Sequence, residues 1–474
     1  MAGAQQRIEP GERQAAALSF LYFFCVLAAY YVIRPVREQL SAAVGSTQLP
    51  WFFAATFVAT LALTPIFAWL ASRWPRRIVV PVVYLFFITC LLAFVPLFTA
   101  QGLLSPRALG IVFFVWVSVF NLFVVSVFWS FMSDIWSEQQ ARRVFPLIAT
   151  GGAIGAITGP VLTSALVGVL GVAPLLVVSV LLLCVALGCV LLLGRWSRQH
   201  GANRGDVAHE AAVGGGMFDG LRQVFAHPFI RGMALLMVLG DALGTIAYAL
   251  YVDSLGAAFA RDVAQPSQFH QLVVGLYAMV PWNDAATLSA AQARTFAASL
   301  VDLTTNLLQL GMQLTLTRWL LRRYGAGVVI VVWAAASVIV LVLLGVLGDI
   351  SVGWLGGLSL AVVVLIVTRS GAYGLVQPAR ESLYTLVPRE LRYKGKNAVD
   401  TAVWRAGDVV VATSMNGLRA LGAVTATFGW LGALAAAASG WVGWALARRA
   451  EAGAPVNAGR SQRQGAVESD AKPG

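Results

Sequence analysis

Residues 15–40 read AAALSFLYFFCVLAAYYVIRPVREQL, and this stretch decides the fold class. From Ala15 to Ile33 it is almost purely apolar, and then Arg34, Arg37 and Glu38 arrive together around Pro35. A bilayer crossing needs about 20 such residues. The rest of the chain repeats the pattern: of 474 residues 59% are hydrophobic and 11% charged. Soluble domains carry roughly 25% charged residues. The expected fold class is therefore an all-α polytopic membrane protein.

Apolar spans fall at about 15–40, 50–71, 78–99, 108–133, 144–170 and 172–194, then at about 227–253, 295–320, 326–347, 351–379, 398–421 and 423–446. This is six helices, a polar linker and six more, the plan of major-facilitator transporters, whose site lies near the midplane between the halves. The expected organisation is an N-terminal bundle at 1–194, a linker at 195–226, a C-terminal bundle at 227–448 and a disordered tail at 449–474. No cleavage site follows the first apolar run, so it is read as a retained helix. The outward loop 262–293 contains FHQLVVGLYAMV, which has the pattern of a short amphipathic helix.

Basic residues orient the chain. Arg7 and Arg13, Arg73 to Arg77, Arg142 and Arg143, Arg195 to Arg222, Arg318 to Arg323, Arg389 to Lys396, and Arg448 with Arg449 all flank one set of loops. The opposite set offers little beyond Arg107, Arg261 and Arg294. The positive-inside rule then places both termini in the cytoplasm. The net charge of +12 is a topology signal and a fit to anionic headgroups rather than a nucleic-acid footprint. Four cysteines lie inside apolar runs and four histidines are scattered, so neither a disulfide framework nor a metal site is expected. There is no GxxxxGK[ST] phosphate loop, no nucleophile motif and no paired catalytic carboxylates. An enzyme is disfavoured, and no cofactor is expected.

Charges within spans are costly, about 2.5–3.5 kcal/mol each at the centre on insertion scales, so they require partners or a cavity. Arg34 and Glu38, four apart, can pair on one helix face, and Pro35 should kink or break the helix. Two guanidiniums there suit a phosphate or carboxylate ligand; a helix-end brace is the alternative. Span ten sets Arg369, Tyr373, Gln377 and Arg380 at helical steps, with Glu381 beside the last, and span eight does the same with Asp302, Asn306, Gln309 and Gln313. Asp241, Asp302, Asp400 and Asp408 are candidates to carry a coupling proton, and Arg405 is spaced to pair with Asp408. Gly151, Gly155 and Gly159 in GGAIGAITG read as a close helix–helix contact.

Three stretches carry a resemblance: IRPVREQL in span one, FWSFMSDIWSEQQARRVFPLIATGG across spans four and five, and AYGLVQPARESLYTLVPRELRYKGKNAVD across spans ten and eleven. They resemble the ATP/ADP translocase (nucleotide transporter) family of obligate intracellular bacteria and plastids. That resemblance implies a facilitator-like fold and nucleotide exchange. It matches Arg34, Arg37 and Glu38 to the family's arginine and lysine–aspartate pair, Arg380 and Glu381 to its lysine–glutamate pair, and Lys394, Lys396 and Asp400 to its KGK…D element. The chain departs where Asn121 replaces an acid in span four and Arg405 replaces a lysine in span eleven.

The resulting expectation is a monomeric secondary transporter in a bacterial inner membrane, moving a small organic anion such as a nucleotide or other phosphorylated solute. Its binding residues would be drawn from Arg34, Arg37, Glu38, Asn121, Arg369, Tyr373, Gln377, Arg380, Glu381 and Arg405, with the lipid bilayer as its other partner and no nucleic acid. A proton-coupled facilitator for a carboxylate, peptide or lipid remains the alternative. Cysteines introduced at 195–226, in a chain freed of its own four, should react only with reagent on the cytoplasmic side. Labelling from the other side would overturn both orientation and span count.

Overall fold

A computed structural model describes residues 10–74, 76–99, 104–200, 227–260, 265–385 and 404–469. Its helices are α1 (Pro10–Val44), α2 (Leu49–Arg73), α3 (Arg76–Thr99), α4 (Pro106–Ile135), α5 (Glu138–Leu170), α6 (Pro174–His200) and α7 (Pro228–Ala258). They are followed by α8 (Gln268–Ala278), α9 (Ala290–Met312), α10 (Arg318–Leu347), α11 (Leu360–Gly371), α12 (Gln377–Tyr384), α13 (Trp404–Ala420) and α14 (Thr425–Ser469). A two-residue hairpin, Ser351–Val352 against Leu358–Ser359, precedes α11.

Ten described stretches are long and apolar enough to cross a membrane, and one of them, Ala290–Leu347, is 58 residues long. Gly325 interrupts it with φ 79° and ψ 177°, a conformation open to glycine, so it makes two crossings. The 17 residues of α13 add about 25 Å at 1.5 Å per residue, enough for most of another. The described residues thus accommodate the twelve expected spans. The short helix expected in the outward loop is α8, which buries Phe269, Val273 and Tyr277.

The chain divides into two compact units, Met1–Val207 with Ala249–Leu307 and Ser351–Val362, and Ala208–Tyr248 with Leu308–Ile350 and Val363–Gly474. In the first unit α1 is the central helix, packed on α4, α5 and α6. The α1–α5 crossing depends on glycine. A Cβ at Gly151 would stand 2.6 Å from the Phe20 carbonyl oxygen and one at Gly159 2.8 Å from that of Ala28, while Gly155 faces the Phe24 carbonyl more closely still. Small residues let membrane helices approach so that dispersion contacts replace the missing hydrophobic drive. In the second unit α10 and α14 make the equivalent pair, with Gly345, Gly429 and Gly440 at the contact.

One expectation is corrected. The Pro35 break is not there, because α1 runs unbroken from Pro10 to Val44. Hydroxyl groups brace it just before the proline: Thr163 donates to the Val32 carbonyl at 3.1 Å and Ser179 to the Ala29 carbonyl at 3.0 Å. Neighbouring helices stabilise proline-containing spans in this way. Helix α14 runs as far as Ser469.

Gly155→Ala should destabilise the protein by roughly 1–3 kcal/mol through overpacking, whereas Gly188→Ala, where a Cβ meets nothing within 4 Å, should be neutral. Thermal unfolding in detergent measures both. Equal midpoints for the two variants would contradict the tight α1–α5 contact.

Candidate functional site

In the first unit, the turn of α1 that carries the charges faces α9. Arg34 and Asp302 are each 3% exposed, and Nη1 of Arg34 lies 3.3 Å from Oδ1 of Asp302. Its Nε lies 3.6 Å from Oε1 of Glu38, while Arg37 pairs with the same Glu38 oxygen. The i,i+4 pairing read from the sequence is present, but the shorter contact of Arg34 is to Asp302. Aromatic faces complete the surround, with Tyr31 5.5 Å from the Arg34 guanidinium carbon and Phe114 4.8 Å from that of Arg37. Two guanidiniums and two carboxylates balance in formal charge, which makes the burial tolerable. The balance is incomplete in hydrogen bonds: Nε and Nη2 of Arg34 are buried without a hydrogen-bond partner. A guanidinium offers five donors, so Arg34 keeps donors for a further acceptor, with Nε already 3.6 Å from the Glu38 carboxylate.

One turn along α9, Asn306 donates to the Ala156 carbonyl of α5 at 2.7 Å. Nearer the loop end of the same unit, Asp253 of α7 accepts from the Ser46 hydroxyl at 2.8 Å and from its backbone N–H at 3.2 Å. Trp282 donates to the Ala165 carbonyl at 2.7 Å, and Gln292 to that of Val167 at 3.1 Å. The helices α1 and α5 are thereby tied to α7, α9 and the loop between them.

The second unit holds a separate cluster. Thr245 of α7 donates to Oδ1 of Asp408 at 3.0 Å, and Oδ2 of Asp408 lies 3.6 Å from Nη1 of Arg405. Asp241 of α7 faces the residue before Asp408: its Oδ2, buried without a hydrogen-bond partner, lies 2.7 Å from where a Cβ on Gly407 would stand. The Arg405–Asp408 pairing expected from spacing is thus present, and Asp241, one helix away, joins it. Arg380 lies 3.9 Å from Glu381 and donates to the Met237 sulfur at 2.7 Å.

The stripe on span eight lies along α9 and ends at a π turn, and the stripe on span ten runs through a second one. A π turn at Gln313–Thr317 separates α9 from α10, and another at Ala372–Val376 separates α11 from α12. Each inserts an extra residue, which rotates the next stretch of helix by about 100°. Eight α-helical steps alone would carry Gln377 about 80° from Arg369, and the inserted residue brings it back to within about 20° of that line while turning Arg380 away from it; Arg369 is half-buried. The two π turns meet: Gln313 donates to the Tyr373 carbonyl at 3.1 Å and Thr317 to that of Gly374 at 2.6 Å. Asn121 is half-buried on α4, and among the described residues no hydrogen bond or ion pair joins it to Arg34 or Arg37. Asp400, Lys394 and Lys396 lie outside the described residues. Among the described residues no cluster of three or more His, Cys, Asp or Glu side chains could hold a metal.

Thr245, Tyr31 and Phe114 were not singled out by sequence. Thr245 lies four residues beyond Asp241 on α7, a spacing that could have found it. Phe114 carries no such signal, since its contact depends on how α1 and α4 cross.

No family model matches the chain, and no curated protein matches it by sequence. Solved structures do. The nucleoside transporter NupG aligns over 92% of this chain and 98% of its own at 15% identity, with a TM-score of 0.59. The POT family transporter PepTSo aligns over 94% of this chain and 99% of its own at 13% identity, with a TM-score of 0.59. A bacterial homologue of the human lysosomal transporter Spinster aligns over 95% and 96% at 13% identity, with a TM-score of 0.53. These likenesses show the major-facilitator fold of an all-α, multi-pass membrane protein.

Asp302→Asn should destabilise the protein by roughly 3–5 kcal/mol, because it leaves buried Arg34 short of a counter-charge. Arg34→Gln combined with Asp302→Asn should recover part of that loss. Additive losses in this double-mutant cycle would show that the pair is not coupled.

Proposed function

We propose that this protein is a secondary transporter that carries a small organic anion, of the nucleotide or phosphorylated-solute class, by alternating access between two six-helix bundles at 1–194 and 227–448. The observation that carries this reading is Arg34, a guanidinium 3% exposed with Nε and Nη2 lacking hydrogen-bond partners. Unsatisfied buried donors on a charged group cost more than the roughly 1–3 kcal/mol of a neutral one. An anion bound in the fork of that guanidinium would relieve that cost, and Arg37, one turn on, would add the second charge. The resemblance of 29–40 to the nucleotide translocase motif supports the nucleotide class. The shared fold with a structure named as a nucleoside transporter is compatible with the same class.

The charge balance around Arg34 gives binding a consequence. An anion that takes the free edge of Arg34 competes with Asp302 for the same cation, weakening the tie between α1 and α9. Proton coupling is a second reading, favoured by Asp241 standing beside Asp408 against a single Arg405. On this proposal the chain is a monomer in a bacterial inner membrane with both termini in the cytoplasm, and it is a carrier rather than an enzyme.

Uptake of labelled nucleotides and organic phosphates into proteoliposomes, with and without a pH gradient, identifies the substrate. Arg37→Gln should then lower apparent affinity about 10-fold or more, while Arg37→Lys, which keeps the charge but loses the planar fork, should do less harm. Unchanged affinity in an Arg37→Gln protein that folds and inserts would reduce these residues to a helix-end brace.

A further inference from the structure

The start of α10 carries a feature that the transport site does not use. Arg318, Arg322 and Arg323 surround Trp319 and Thr315 in an open-sided cavity of about 440 Å³. All five side chains are exposed. Among the described residues none of the three guanidiniums has an acidic partner; Arg323 lies over the Tyr324 ring, its guanidinium carbon 5.8 Å from the centroid. The positive-inside rule explains why arginines occur at this helix end. It does not explain why three of them line one concavity.

The opposite helix face is occupied. Thr317 and Gln313 bind carbonyls of the facing π turn, and Leu320 is 5% exposed. At 100° per residue, Arg322 and Trp319 stand away from that contact. The line continues through the π turn as Thr315 and Gly311, whose steps of four fall close to one widened turn, and then as Leu308. Trp319 is 52% exposed and Leu308 46%, and a Cβ at Gly311 would meet nothing within 4 Å. This face is exposed: a track with a gap at glycine, an aromatic residue of the kind that favours membrane interfaces and a cationic cup beside it.

We propose that this cup is a binding site for one anionic phospholipid, its phosphodiester held by Arg318, Arg322 and Arg323 and an acyl chain lying along Leu308, Gly311 and Thr315. Guanidinium forks match the two non-bridging phosphate oxygens. The paired rings of Trp319 and Tyr324, with centroids 5.6 Å apart, wall one side of the headgroup. The occupant is a lipid rather than a free phosphate because charge and apolar track are continuous on one helix face. Basic pockets at the cytoplasmic side of membrane helices hold lipid headgroups in this way.

Native mass spectrometry of the full chain, released from vesicles of phosphatidylcholine and phosphatidylglycerol, counts the lipids retained. The wild-type chain should keep phosphatidylglycerol in preference to phosphatidylcholine. Arg322→Gln should weaken that retention roughly fivefold, and the triple Arg→Gln change on the order of 100-fold. Arg448→Gln with Arg449→Gln, at another basic helix end, should leave retention unchanged. A triple Arg→Lys variant keeps the charge for insertion and should lose several-fold through the missing forks. Undiminished retention in both Arg322→Gln and the triple lysine variant would overturn the site. Glycerol phosphate competing as well as the intact lipid would overturn the lipid assignment.

Discussion

A guanidinium buried in a membrane-spanning helix is the constraint around which the first unit is organised. Arg34 cannot shed its charge, and it lies too deep in α1 for its side chain to reach solvent. Its burial demands compensation from neighbours. Glu38 supplies part from the same helix, but the closer carboxylate, Asp302, comes from α9. The identity of residue 34 thus dictates where α9 must lie relative to α1. Arg37 would otherwise leave the cluster with surplus positive charge, and Glu38 answers it.

Geometry elsewhere serves that constraint. The glycines at 151, 155 and 159 bring α5 against the backbone of α1, and hydroxyls from α5 and α6 brace the helix at Pro35. An unbroken, tightly held α1 presents Arg34 and Arg37 to their partners. In the second unit the helices carrying Gln313 and Arg369 each contain a π turn instead, and side chains of the Gln313–Thr317 turn donate to carbonyls of the Ala372–Val376 turn. Such turns persist only where partners offset the cost of the widened backbone. Their presence on the two helices read as polar stripes marks those helices as more than lipid-facing walls.

The fold class was legible because lipid leaves little choice. Every backbone polar group must be satisfied within its own segment, so long apolar runs had to be helices, and small residues four apart had to be contacts. The positions of charge were legible too: Arg34, Glu38, Asp302, Arg405 and Asp408 were all marked by their depth. Pairing between distant helices was not legible. Nothing at Asp302 distinguishes a partner for Arg34 from a proton carrier until α9 lies against α1. Pro35 misled because the hydroxyls that brace α1 near it, on the Ala29 and Val32 carbonyls, come from α5 and α6 and leave no mark in the sequence around the proline.

The central claim is that the unfilled edge of Arg34 receives the anionic group of the transported solute. Ligand-dependent thermal stability of the wild-type protein tests it directly, because a ligand that binds only the folded state raises stability by RT ln(1 + [L]/Kd). The comparison is a solute with and without its phosphate, nucleotide against the matching nucleoside, at equal concentration. The account predicts stabilisation by the phosphorylated member alone, abolished by Arg34→Gln. Equal stabilisation by the neutral nucleoside, retained in Arg34→Gln, would contradict it.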